Sequence, residues 1–462
     1  QASVILMSNL KTNMNNFEDV LKLLKSQTLR VCVIGIGRIG LPTALSFAKA
    51  GLQTIGMDIN EQLVNSLNQG NFPLKDEPGY EDIFNNVRKN GNFSATTDIN
   101  KAVSGSDLIL LSLPTPMSEK NIPNYSVLES VCKQLGDILQ PNSLIVVEST
   151  IEPGFIENNL INILEGTNRL HAGKNFTIGV CPENANPGEI LHDFTNLPRL
   201  VGGIDQQSTK IITMIYDFVF SVELIIMPDC KTANAVKLTT NVFRDVNIGF
   251  VNELSLMFDK LGIDTLKVLD AAKRKYNFQI HYPGPGVGGP CLPINSYQFL
   301  NTAARTNSKL SIIEQARKIN EKMPEYVVNL TLDGFKISKK PIKDSSILIL
   351  GISYKPDVKD IQLSPAEIII NKLKTLGAKI KIYDPYFKGS QVFGINVEQS
   401  INDILSKVDA AIIVTAHKEF QEIDPKIFSK MKTPILIDSR GIIDPVSAKN
   451  AGLVFRGLGR GI

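Results

Sequence analysis

At 462 residues the chain is too long for one hydrophobic core and predicts two or three domains. Its 43% hydrophobic and 21% charged residues describe a globular protein, and 49 Lys+Arg against 46 Asp+Glu argue against nucleic acid or an anionic membrane as partner. No apolar run approaches the roughly 18 residues of a membrane-spanning helix, so the sequence reads as soluble.

Five scattered cysteines (Cys32, Cys132, Cys181, Cys230, Cys291) without C-x-x-C spacing point to reduced thiols and a cytoplasmic location. The four histidines show no ligand spacing, so no metal is expected. Residues 1–29 read as an N-terminal extension with one short amphipathic helix from Phe17 to Lys25, and the opening residues lack the pattern of a secretion signal.

At Arg30 the pattern changes to a buried strand, Val31-Cys-Val-Ile34, then Gly35-Ile36-Gly37-Arg38-Ile39-Gly40 and an apolar helix. A second strand, Gln53 to Met57, ends in Asp58, eighteen residues after Gly40. A G-x-G-x-x-G between strand and helix, with an acid at this distance, is a dinucleotide fingerprint. Asp58 would accept the adenine-side ribose hydroxyls and repel a 2′-phosphate, which favours NAD over NADP. Strands at Leu108 to Leu113, Leu144 to Glu148 and Phe176 to Val180 carry Thr115, Thr150 and Glu183 just past their carboxyl ends, the rim where ligands of open α/β sheets bind.

From Cys230 to about Leu261 the sequence has helical period, with Ala235, Leu238, Val242, Val246 and Phe250 spaced for one face. About 30 helical residues span roughly 45 Å, enough to join two domains and offer a dimer surface. Lys237 and Asn241, four apart, share one side of it. The run Tyr282-Pro-Gly-Pro-Gly-Val-Gly-Gly-Pro-Cys291 follows, its glycines (Gly284, Gly286, Gly288, Gly289) letting a ligand approach the backbone and its prolines stiffening the path to a thiol. After Pro324 strands and helices alternate again at Ser346 to Leu350, Lys379 to Tyr383, Ala410 to Thr415 and Pro434 to Asp438, without a second G-x-G-x-x-G. The fold class expected is therefore α/β, with two Rossmann-like doubly wound domains (residues 30–205 and 326–462) joined by a central helical domain (206–325).

These phrases in this order resemble the UDP-glucose/GDP-mannose dehydrogenases, most closely their UDP-N-acetylmannosamine branch, from about Arg30 to Ile462. They include Pro114-Thr-Pro116, Glu148-Ser-Thr150, Cys181-Pro-Glu183, Lys237-Leu-Thr-Thr-Asn241, Pro283 to Cys291, Tyr354-Lys-Pro356 and Asp438-Ser-Arg440. The resemblance implies oxidation of a nucleotide-sugar primary alcohol to a carboxylate with two NAD, through a thiohemiacetal and thioester on Cys291. It implies that Lys237 and Asn241 flank the reacting oxygen, that Glu183 and Thr150 position or activate water, and that Gly286 to Gly289, Tyr282, Tyr354, Lys355 and Arg440 face the substrate, with Arg244 and Arg274 in the same region. It further implies a homodimer or larger oligomer and a place in glycan or surface-polysaccharide synthesis.

Three positions depart from the family pattern. Asn295 stands where an Asp is usual, Gln362 replaces an Arg, and Pro290 replaces a His. Asn cannot hold a charge or take a proton, so thioester hydrolysis should slow if the Asp is its base. The residues leave open which base and sugar are bound, UDP-glucose among them, and whether the chain is a catalytically impaired nucleotide-sugar-binding homologue.

Overall fold

The structure is a computed structural model that describes residues 13–166 and 169–462. The chain forms two compact units, Gln1–Thr239 and Thr240–Ile462, each built on a sheet.

The first unit contains β1 (Arg30–Ile34), β2 (Gln53–Met57), β3 (Phe93–Thr96), β4 (Leu108–Leu111), β5 (Leu144–Val147), β6 (Thr177–Val180), β7 (Arg199–Gly203) and β8 (Leu224–Ile226). Their order is β3-β2-β1-β4-β5-β6-β7-β8, parallel throughout except where β6 meets β7. Side chains alternate across a strand, and both faces here are covered. Val31, Val33, Leu108, Leu110, Leu144 and Val146 enter one apolar layer, while Cys32, Ile34, Ile109, Leu111, Ile145 and Val147 enter the other. A strand buried on both sides therefore reads as an unbroken apolar run. The order reverses at β1, which opens a crevice beyond the carboxyl ends of β1 and β4. The predicted helix Phe17–Lys25 forms, capped by the Asn16 side chain and burying Val20 and Leu24.

The second unit carries β9 (Ser346–Leu350), β10 (Lys379–Tyr383), a small antiparallel pair of β11 (Gln391–Val392) and β12 (Ile395–Asn396), then β13 (Ala410–Ile413), β14 (Ile435–Asp438) and β15 (Val454–Gly457). Its parallel sheet runs β10-β9-β13-β14-β15, again reversing at the first strand, here between β9 and β13. The same two-sided burial recurs, with Ile347 and Ile349 in one layer and Leu348 and Leu350 in the other.

Two expected domain limits move. The first sheet continues past residue 205 to β8, because the helix Gln206–Val219 packs back onto β7. The limit at 325/326 falls inside one helix, Ser311–Ile337, which carries the buried Pro324 within it. The long helix is Cys230–Lys260. Leu238 and Val242 of its predicted face are buried, but Phe250 is 50% exposed. The buried positions beyond Val242 are Asp245, Gly249, Val251, Asn252 and Ser255, mostly polar or small residues that an apolar period does not register. A Cβ on Gly249 would stand 2.9 Å from that of Ala316, so the crossing with the helix Ser311–Ile337 requires glycine.

Candidate active site

β1 ends in Gly35, whose φ of +86° suits glycine and whose N–H donates to the Met57 carbonyl at 2.8 Å. A Cβ on Gly35 would lie 2.4 Å from the Ser112 carbonyl oxygen, and one on Gly40 only 1.8 Å from that of Gly35. Both are bare so that strand, turn and the helix Gly40–Lys49 can close together. Gly37 differs, since a Cβ there would meet nothing within 4 Å. Its bareness leaves an open cradle at a helix start that no side chain caps, which fits the pyrophosphate of a dinucleotide. Ile36 is buried, and Ile39 is the N-cap.

The Asp58 carboxylate accepts the N–H of Ile36 at 3.1 Å and of Asn60 at 3.0 Å, retaining lone pairs for a ribose hydroxyl. The Arg38 side chain instead pairs with Asp76 at 2.6 Å and Glu77 at 2.8 Å. Burial lowers its pKa, but those carboxylates outweigh burial and hold it above the usual value. The Arg38 guanidinium is thus turned toward two carboxylates of its own unit.

On the rim, the Thr115 hydroxyl donates to the Thr150 carbonyl at 3.0 Å, tying the loops after β4 and β5. Glu183 Oε1 accepts the N–H groups of Asn184 (2.6 Å) and Ala185 (2.8 Å), and its Oε2 accepts from Arg199 Nη1 at 2.7 Å. The Arg199 guanidinium lies over the rings of Phe194 and Phe220, at 4.3 and 3.8 Å. Lys237, buried, donates from Nζ to Asn184 Oδ1 at 2.9 Å. Asn184 thus joins carboxylate and ammonium, with its peptide N–H on Glu183 and its side chain on Lys237.

In the second unit the Cβ side of each loop glycine is taken by the protein itself. A Cβ on Gly284 would lie 2.7 Å from Arg440 Nη1, on Gly286 3.2 Å from Pro365, on Gly288 2.3 Å from the Leu363 carbonyl oxygen, and on Gly289 2.5 Å from the Tyr354 ring. The glycines let the loop lie against its own protein. One face of Tyr354 is accordingly taken by Gly289. The loop is pinned where the Gly289 N–H donates to the Gln362 carbonyl and the Gly284 N–H to Asn252 Oδ1, both at 2.9 Å. Asn252 continues to Asn320 and Asn320 to Asp245, which also receives Arg317 at 2.9 Å and Ser296 at 2.6 Å. Such a connected buried network rigidifies what it supports.

The loop delivers Cys291, exposed, at the N-cap of the helix Leu292–Arg305. Burial pushes the thiols of Cys32, Cys132, Cys181 and Cys230 up, Cys132 to about 12. One turn on, the buried Asn295 accepts from Asn241 Nδ2 at 2.6 Å and donates to Gln298 Oε1 at 2.9 Å.

The second sheet repeats the first unit's turn. Gly351 has φ +83°, its N–H donates to Tyr383, and Asp384 after β10 accepts the Ile352 N–H at 2.8 Å, as Asp58 accepts that of Ile36. Here the acid is buried and held by His417 Nε2 at 3.0 Å. Burial pushes its pKa up, but His417 and two peptide N–H groups outweigh burial and hold it low. Covered by His417, Asp384 cannot reach a ribose, so this sheet is unsuited to a second dinucleotide. Arg440, past β14, donates to the Val414 carbonyl at 2.7 Å. Burial pulls its pKa down to about 10, and only Asp438 partly offsets this. A cation with so little countercharge suits a diphosphate. Lys355 is half-buried, while Tyr282, Arg244 and Arg274 are exposed.

Sequence reasoning missed Asn184 and Arg199. Arg199 sits at a strand start where a charge is unremarkable, and Asn184 could have been found as the immediate neighbour of Glu183. A dinucleotide turn in one α/β unit and an under-neutralised cation near a pinned thiol loop in the other define an NAD-dependent nucleotide-sugar dehydrogenase. The chain belongs to the UDP-glucose/GDP-mannose dehydrogenase family, whose NAD binding domain matches residues 29–219, central domain 231–322 and UDP binding domain 348–445. It is 32% identical over 438 residues to the UDP-N-acetyl-D-mannosamine dehydrogenase of Pyrococcus horikoshii, covering 94% of this chain and 100% of that one. It is 30% identical over 421 residues to an NDP-N-acetyl-D-galactosaminuronic acid dehydrogenase of Ralstonia solanacearum, covering 89% and 96%. The solved Pyrococcus horikoshii UDP-D-ManNAc dehydrogenase superposes with a TM-score of 0.86 at 31% identity, over 94% of this chain and all of that one. Among the described residues no helix is long and apolar enough to cross a membrane.

Proposed function

We propose that the protein oxidises the C6 hydroxyl of a UDP-N-acetylhexosamine, N-acetylmannosamine first among them, to the uronic acid, with Cys291 as covalent nucleophile. The sugar rests on the names of the relatives. The chemistry rests above all on one observation: of five free thiols, only Cys291 is exposed, and it caps a helix whose next turn carries the Asn295–Asn241 pair.

NAD, bound at the Gly37 cradle, supplies the hydride acceptor for both oxidations. Lys237 and Asn241 would stabilise the alkoxide as the alcohol loses its proton and becomes an aldehyde. The aldehyde carbon carries no hydroxyl, so the Cys291 sulfur adds to it and its oxygen takes a proton, giving a thiohemiacetal. Loss of a second hydride and that hydroxyl proton leaves a thioester. Water, positioned from Glu183 and Thr150, adds to the acyl carbon; the C–S bond breaks and the acid leaves. Gly286, Gly289, Tyr282, Tyr354, Lys355, Arg440, Arg244 and Arg274 are the proposed substrate contacts.

Asn295 favours a second reading, in which hydrolysis is slow and the protein acts as an impaired, nucleotide-sugar-holding homologue. UDP-glucose is the alternative substrate. The long helix leaves Phe243, Phe250 and Met257 exposed, seven apart, with exposed Leu261 just past its end, which supports pairing with a second copy in the cytoplasm. The uronic acid would feed glycan or surface-polysaccharide synthesis. Incubation with NAD and a panel of nucleotide sugars, followed by NADH absorbance, tests the proposal. Absence of NADH with every sugar, binding retained, leaves only the second reading.

A further inference from the structure

Glu183 is backed by a buried polar cluster that the proposed reaction does not use. Glu148, directly after β5, is 2% exposed. Its Oε1 accepts the Tyr216 hydroxyl at 2.6 Å, while its Oε2 has the Thr43 hydroxyl beside it but outside hydrogen-bond geometry. Arg199, 3% exposed, gives one N–H to Glu183, while its Nε and Nη2, with the Cys181 thiol nearby, reach no acceptor in hydrogen-bond geometry. Donors without acceptors beside an acceptor without a donor are rare in a native interior, and catalytic duty is one of the few reasons for keeping them. Thr43 from the helix Gly40–Lys49, Tyr80 from Tyr80–Lys89 with Ser46 and the carboxylate of Glu77 beside it, Tyr216 from Gln206–Val219 and Cys181 after β6 complete the surrounding groups. Arg199 is the one cation among them.

We propose that Arg199 is a positioning residue for Glu183, and that the Glu148–Tyr216 pair governs how firmly Arg199 holds it. The inference rests on reading Glu183 as the carboxylate that positions water. One guanidinium can hold two carboxylates, as Arg38 does, but Arg199 bonds Glu183 and gives nothing to Glu148, so a bond to Glu148 requires the guanidinium to shift from its present seat. While Glu148 is protonated, the charge of Arg199 belongs to Glu183, which stays clamped between that guanidinium and the N–H groups of Asn184 and Ala185. Burial lifts Glu148 to about 7, with Arg199 and the Tyr216 hydroxyl pulling against it, so its proton leaves near neutrality. Charged Glu148 then draws the two unused N–H groups of Arg199, and the clamp on Glu183 slackens. Asn184 and Lys237 loosen with it.

The test is the pH dependence of kcat for NADH formation, from about pH 5.5 to 9, in wild type, Glu148→Gln, Tyr216→Phe and Arg199→Lys. Wild-type kcat is expected to fall through a limb near pH 7. Glu148→Gln removes that limb, and Tyr216→Phe, by deleting a donor to the ionised form, moves it upward by about one unit or more. Arg199→Lys lowers kcat about tenfold or more at every pH, with KM nearly unchanged. A limb that stays in place in both Glu148→Gln and Tyr216→Phe overturns the proposal alone, and Tyr216→Phe decides it if Glu148→Gln does not fold. A wild type that forms no NADH with any nucleotide sugar overturns the underlying reading and this one together.

Discussion

Asn241 donates its side-chain amide to Asn295 Oδ1 at 2.6 Å, one helical turn past the exposed sulfur of Cys291. The amide of Asn295 in turn donates to Gln298 Oε1 at 2.9 Å, so its polarity is fixed from both sides. An Asp at 295 could accept from Asn241 equally well, but would face the oxygen of Gln298 until that side chain turned its NH2 inward. Asn295 and Gln298 are therefore a matched pair.

Replacing Asn295 with Asp should restore a group able to take a proton from water. In wild type the expectation is a burst of about two NADH per site, then slow turnover with a sugar adduct on Cys291. Asn295→Asp should abolish the burst and raise the steady rate by about 10²- to 10⁴-fold, the usual size of a general-base term. Stopped-flow absorbance and mass spectrometry of the thiol decide it. Equal steady rates in both proteins, with an unmodified cysteine, remove position 295 from hydrolysis.

Asn184 links the two charged groups of the first unit, so its truncation should affect chemistry more than affinity. A hydrogen bond to a charged group contributes about 1.5–3 kcal/mol, which predicts a kcat for Asn184→Ala lower by about ten- to hundred-fold with KM little changed. A raised KM at wild-type kcat would instead make Asn184 an ordinary binding contact.

An outer and an inner glycine of the turn separate folding from cofactor binding. Gly40→Ala places a Cβ 1.8 Å from the Gly35 carbonyl oxygen and should prevent the first unit from folding. Gly37→Ala meets no protein atom, so stability should stay within about 0.5 kcal/mol of wild type while NAD affinity falls. Calorimetric titration with NAD beside a thermal melt tests both; unchanged affinity in Gly37→Ala would show that the cradle holds something else.

Much of this was legible because each central strand is buried on two faces and so spells an unbroken apolar run. Val31 to Ile34 and Ser346 to Leu350 are clear examples. Phe93–Thr96, Arg199–Gly203, Leu224–Ile226 and Val454–Gly457 were missed, being short, and the first, second and fourth carry polar residues or glycine that break the apolar run. The face of the long helix was misread beyond Val242 because, apart from Val251, its buried side chains are Asp245, Asn252 and Ser255, held by hydrogen bonds. The glycine loop was visible, but not its purpose. Whether a missing Cβ makes room for a ligand or for Tyr354 depends on residues about 65 positions away, which no local pattern contains.

Glu148 should leave a mark on stability that needs no substrate. Its folded pKa is raised by burial from an ordinary 4.5 to about 7, so between those values the folded protein binds more protons than the unfolded chain, and stability falls as pH rises. Below that window the neutral acid carries no penalty. Above it the full cost is present, on the order of 3 kcal/mol. Glu148→Gln keeps the shape and cannot ionise. Carboxylates remote from Glu148 contribute equally to both proteins and cancel, so the variant's stability relative to wild type should climb from about pH 5 to about pH 7 and then level off. Urea midpoints measured across this range give the difference directly. A difference that does not change with pH would mean that Glu148 is already charged when folded, with Arg199 shared between two carboxylates at every pH.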